Sequence, residues 1–233
     1  MAKEKNLKYY TYQFDMKILN LLAILLFILV GGFVWWLKYP DTYQPTMPFP
    51  TLLIIALLWL LLHELLHGLG FSIFKSIKKE NITFGLALEK GVFYCMCKQN
   101  IKKPIILTSL LFPVTIIGMI TLIVGMLLNQ YELVFLSILN IVSSIGDIMM
   151  TIYFLKCPND IIYLDLDDCT SFTVLSTKSL ETIKVPGINL IKKGIYNKNK
   201  MIAKDKRKLV VSKPSYILII IIIVIALAKL ILG

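Results

Sequence analysis

The stretch ALLWLLLHELLHGLGFSIF, residues Ala56–Phe74, decides how the chain is read. Nearly every side chain in it is at home in hydrocarbon, yet His63, Glu64 and His67 stand in its middle. Ionisable groups inside a membrane helix are costly, about +2.5–3.5 kcal/mol for a charged side chain on insertion scales, so residues kept there mark a working site.

The surroundings support the membrane setting. Of 233 residues 57% are hydrophobic and only 17% charged, and the apolar ones fall in long blocks. That composition is foreign to an ordinary soluble domain. A helix needs roughly 20 mostly apolar residues to cross the hydrocarbon core. Segments at about 17–38, 50–74, 104–129, 132–155 and 214–232 meet that requirement. The first, KILNLLAILLFILVGGFVWWLK, is longer than the roughly 7–15-residue apolar core of a signal peptide. It also ends in interfacial aromatics, which suit a retained helix.

Lysine placement orients the spans, because inward-facing loops carry the positive excess. The N-terminal arm holds Lys3, Lys5, Lys8 and Lys17, and the loop after the second span holds Lys75, Lys78, Lys79, Lys90, Lys98, Lys102 and Lys103. The intervening YPDTYQPTMPF and the turn at Asn129–Tyr131 have no basic residue. The expectation is a multi-pass protein of the cell membrane with a cytoplasmic N-terminus and an outside C-terminus. Cys95, Cys97, Cys157 and Cys169 then all face the reducing side as free thiols, and their spacing does not suit a zinc knuckle.

The expected fold class is an all-α polytopic membrane protein. It has five transmembrane helices, a small cytoplasmic β-hairpin at about 81–97 and a short cytoplasmic β-containing segment. Residues 1–155 form the core, 156–213 a cytoplasmic segment and 214–233 the C-terminal helix. The hairpin ITFGLALEKGVFYCMCKQN alternates in polarity. Its strand edge could take up an unwound substrate by β-augmentation, or the hairpin could simply lie on headgroups. The close carboxylates Asp165, Asp167 and Asp168 read as a solvated turn rather than a calcium loop. The basic run Lys192–Lys208 beside a membrane helix is suited to anionic lipid and not to nucleic acid, and it accounts for much of the +11 net charge.

HExxH on a helix puts His63 and His67 on one face, where two neutral imidazoles can hold one metal ion. Glu64 stands about 100° round the helix, within reach of the water such a metal activates. These are the only two histidines in the chain. The third ligand must therefore be a carboxylate, and the remaining acids within the spans are Glu132 and Asp147. At 1.5 Å per residue, His67 and Asp147 both lie roughly 10–12 Å from the inner boundary, whereas Glu132 opens its span on the other side. Asp147 is the expected ligand. Gly68, Gly70 and Gly146 allow close helix approach. Asn140, seven residues before Asp147, is a candidate for substrate or oxyanion contact, or else a helix–helix contact.

Helices carrying HELLHG (His63–Gly68) and SSIGD (Ser143–Asp147) resemble the site-2 class of membrane metalloproteases. More narrowly, the chain is similar to small bacterial membrane proteins described as "putative zincin peptidases". The resemblance covers about 50–170. It implies one zinc ion held by His63, His67 and Asp147, with Glu64 as the base. It also implies a membrane-protein or membrane-associated peptide substrate cut in or beside a membrane segment. Here the prolines that site-2 proteases carry near the aspartate are missing, and glycine precedes it. Three alternatives remain open. One is a prenyl-protein protease relative using a glutamate ligand, and another is a metal transporter. The third is a non-catalytic metal-binding or immunity-type membrane protein.

Overall fold

The computed structural model describes residues 7–38, 47–87, 92–165 and 170–197. Strand β1 (Lys8–Phe14) runs directly into helix α1 (Met16–Lys38). The helix start is capped by Asp15, whose Oδ1 accepts the Lys17 and Ile18 amides at 3.1 and 3.3 Å. Helix α2 (Phe49–Ser72) opens with Pro50 in its first turn, where a missing N–H costs nothing. Its first half is exposed at Leu53, Ile54 and Leu57, while its second half buries His63, Leu65, Leu66, His67, Gly68, Gly70 and Phe71. The second half is where the other elements converge.

Strands β2 (Ile82–Ala87) and β3 (Val92–Cys97) pair antiparallel, with Phe84 opposite Cys95. After β4 (Ile101–Lys102) comes helix α3 (Lys103–Pro113), which widens into a π-helical stretch at Val114–Ile120 and continues as α4 (Thr121–Leu127). The widening begins directly after Pro113, whose ring cannot support a regular helical ladder. Helices α5 (Tyr131–Ser143) and α6 (Ile145–Lys156) follow, then β5 (Ile162–Leu164), β6 (Ser171–Ser176) and β7 (Ile188–Ile195).

The all-helical expectation is wrong. Five strands form an antiparallel sheet in the order β4-β5-β6-β1-β7, so Lys8–Phe14 of the N-terminal arm is an interior strand. Its partners lie far along the chain: Tyr10 faces Val174 and Tyr12 faces Phe172. Thr11 and Thr173 hydrogen-bond across the pair at 2.9 Å. Rings of Tyr12, Tyr153, Phe154 and Phe172 meet at 4.7–5.8 Å and join the sheet to α6. The buried Lys103 ammonium adds a tie by donating to the Cys157 carbonyl at 2.6 Å and to Asn159 Oδ1 at 3.2 Å. α3 is thereby fixed to the C-terminal end of α6.

The span count also needs correction. Among the described residues three helices are long and apolar enough to cross a membrane: Met16–Leu37, Phe49–Ser72 and Lys103–Leu127. A fourth would have to be the pair α5 and α6, bent by 50°. The bend has a local cause. Ser143 and Ser144 each turn a hydroxyl back onto the Asn140 carbonyl, at 3.0 and 2.6 Å, and the helix restarts at Ile145. The apolar run 132–155 conceals this break, because serine does not interrupt hydropathy. The expected span at 214–232, Asp167, Asp168 and Cys169, and Lys198 onward in the basic run all fall outside the described residues.

Candidate metal centre

The bend delivers Asp147 in the first turn of α6, facing the buried half of α2. His63 Nε2 lies 3.1 Å from Asp147 Oδ2, His67 Nε2 lies 3.5 Å from the same oxygen, and the two Nε2 atoms are 3.1 Å apart. Among the described residues, these three form the one group with metal-ligating atoms so close together. A tetrahedral zinc with bonds of about 2.05 Å has ligand atoms about 3.3 Å apart, so the triangle has the size that ion needs.

The far sides of both rings explain why they point inward. His67 Nδ1 donates to the Ser109 carbonyl at 2.8 Å, while Ser109 Oγ donates to the His67 carbonyl at 3.0 Å. His63 Nδ1 donates to Asn140 Oδ1 at 2.9 Å, and Asn140 Nδ2 donates to the Pro113 carbonyl at 3.3 Å. The second of these bonds assigns the amide orientation, leaving oxygen as the atom that faces His63. Both rings therefore keep their proton on Nδ1 and present a bare Nε2 lone pair. Carbonyl partners of this kind are the usual supports of metal-bound histidines.

Small residues make the approach possible. A Cβ at Gly70 would lie 2.7 Å from Ser109 Cα, and one at Gly68 would lie 2.4 Å from the Phe84 ring. A Cβ at Gly118 would meet Ile141 at 2.9 Å and Asn140 Nδ2 at 3.3 Å, which shows how tightly α5 lies on the π-helical stretch. Gly70→Val should therefore push α2 from α3 at backbone level. The expected cost is about 1–3 kcal/mol of stability and a further ~10–100-fold in metal affinity through the lost Ser109 support. Thermal unfolding with and without zinc measures both, with Gly146→Ala as the control because a carbon added there meets nothing within 4 Å. Unchanged unfolding of Gly70→Val would refute the contact.

Glu64 is half-buried, hydrogen-bonded to the Cys95 backbone on β3, and lines a cavity of about 220 Å³ together with His67 and Asp147. Asn140 does not line that cavity; its amide is spent on His63 and Pro113. Glu132, the other carboxylate in the spans, is 2% exposed at the start of α5, where its Oε1 accepts the Met47 amide at 3.2 Å. It takes no part in the triangle. The described cysteines are free. Burial, with the Asp165 carboxylate adding to it, pushes the Cys97 thiol up to about 12, and burial beside Glu64 pushes Cys95 well up. Both stay protonated at neutral pH, so neither is a ready thiolate ligand.

Sequence reasoning did not foresee Ser109 or Pro113 as supports. Both act through backbone carbonyls, which any residue carries, and only the fold reveals which ones are left over for a histidine.

No curated protein and no solved structure matches the chain. A family described as "Putative zincin peptidase" matches residues 56–162. That segment contains both histidines, Glu64, Ser109, Asn140 and Asp147. Over this segment the chain is similar to that family, whose description names a coarse class, the metallopeptidases.

Proposed function

We propose that this protein is a zinc-dependent endopeptidase of the membrane, cutting peptide bonds in or next to membrane-embedded segments. One observation carries the reading. Two imidazole lone pairs and a carboxylate oxygen meet within 3.1–3.5 Å, and both histidine protons are engaged elsewhere. Three electron-rich atoms crowded in this way call for a cation at their centre, and the donor set of two nitrogens and one oxygen suits zinc with a fourth position open.

In this reading His63, His67 and Asp147 hold the ion. Asn140 and the Ser109 carbonyl keep the rings aimed and are positioning groups. When bound, zinc supplies an acidified water and Lewis-acid polarisation of the scissile carbonyl. Glu64 takes the proton of the attacking water and returns it to the departing amine, a role its place beside His63 and in the cavity wall allows.

The lysine pattern supports a reading in which the N-terminus and the sheet are cytoplasmic. Lys192 and the residues after it would then meet anionic lipid, although Lys193 already pairs with Glu181 at 2.6 Å. The direct test is incubation of the purified, zinc-loaded chain in bicelles with synthetic single-span substrates that differ in the stability of the spanning helix. Cleavage at or near the span, stopped by a chelator and restored by zinc, is the expected result. If every substrate survives intact while the protein carries its zinc, the peptidase reading is wrong and a binding role takes its place.

A further inference from the structure

We propose that the cavity beside Glu64 is a subsite for one large apolar side chain of the substrate, of aromatic size, adjacent to the bond being cut. The proposal rests on the peptidase reading above. Glu64, His67 and Asp147 form one part of the cavity wall, and Phe14 of β1 and Phe172 of β6 belong to another. Leu110 and Met150 contribute from α3 and α6. The cavity wall thus draws on helices and on both sheets, including strand β1.

Size limits the occupant. Pockets that take drug-sized ligands run to roughly 300–1,000 Å³, and a dry apolar cavity of about 150 Å³ already accepts benzene. At about 220 Å³ this space is large enough for one large side chain. Its lining is mixed, with the polar Glu64, His67, Asp147 and Ser109 beside an apolar, largely aromatic part that suits an apolar guest. Phe14, Phe71, Phe93, Ile106, Leu110 and Phe172 supply its apolar lining. The nearby acid Asp165 already has an oxygen on the Cys97 amide at 3.3 Å.

Gly146 gives the independent sign that the space is kept open. Gly68 and Gly70 are small because neighbouring atoms crowd them, but a Cβ at Gly146 would meet no atom within 4 Å, and Gly146 lines the cavity. No packing partner demands its small size. Alanine or leucine would suit the helix better by about 1 kcal/mol.

The experiment measures binding and needs no known substrate. The full chain, zinc-loaded in detergent, is titrated with acetohydroxamate, 3-phenylpropanohydroxamate and 6-aminohexanohydroxamate, which share one chelating head and differ in the group beside it. The phenyl probe should bind on the order of 100-fold tighter than acetohydroxamate, in line with apolar pocket discrimination, and tighter than the amino probe. Gly146→Leu should keep its zinc and lose most of that preference. Equal affinity for all three probes, or preference for the amine, would overturn the subsite while leaving the peptidase reading intact. A wild-type chain that takes up no zinc overturns both. Should Gly146→Leu fail to fold, the wild-type series alone decides.

Discussion

Asp147→Ala is expected to strip the purified protein of its zinc. The two histidines sit one helical turn apart on α2 and form a single chelating unit, whereas Asp147 arrives from a different helix and supplies the only negative charge in the triangle. Losing a support behind a ligand commonly costs 10–100-fold in metal affinity, so losing the ligand itself should cost at least ~100-fold. His67→Ala should do the same. Glu132→Ala should retain full occupancy, because that carboxylate is bound to the Met47 amide and stands apart from the metal group. Metal content by mass spectrometry on detergent-purified variants, all refilled under zinc excess, separates these cases. Full zinc in Asp147→Ala, or loss of zinc in Glu132→Ala, would mean that the third ligand has been misassigned.

Glu64→Gln gives the second large effect, and it is opposite in kind. The substitution preserves size, shape and hydrogen-bonding capacity while removing the basic oxygen. Zinc content should match the wild type, since Glu64 is outside the triangle. Hydrolysis should fall by about 10²–10⁴, the usual contribution of a positioned general base. Measured together on one preparation, the two numbers distinguish a catalytic role from a structural one. A variant that keeps its zinc and still cleaves at the wild-type rate would remove Glu64 from the mechanism. Loss of zinc and activity together would instead make it part of the metal's support.

The centre was more legible in the sequence than the fold around it. HExxH is a local pattern, and once its two histidines had used up the chain's supply, depth arithmetic reached Asp147 without any structure. Asn140 was found for an unsound reason. Its seven-residue spacing from Asp147 assumes one continuous helix, but the helix breaks at Ser144, and the two side chains reach His63 from separate segments. The sheet was missed because its pairings are long-range. KYYTYQF contains lysine and polar aromatics and reads locally as a basic arm, and nothing within it announces Ser171–Ser176 as a neighbour. Hydropathy also measures apolar length and not straightness, so a bent pair and a straight span look alike.

The position of β1 sets a timetable for the molecule. It leaves the ribosome before the other described elements, yet its β6 partners are about 160 positions later, and at roughly 5–20 residues per second they follow after about 10–30 s. Until then Phe14 lacks the Phe172 ring that it packs against at 5.7 Å in the cavity wall, although α2 is made early. Synthesis order alone therefore keeps the cavity wall beside Glu64 unfinished until β6 has been made. A nascent chain carries its histidines before it has the Phe172 side of the wall beside which they would act.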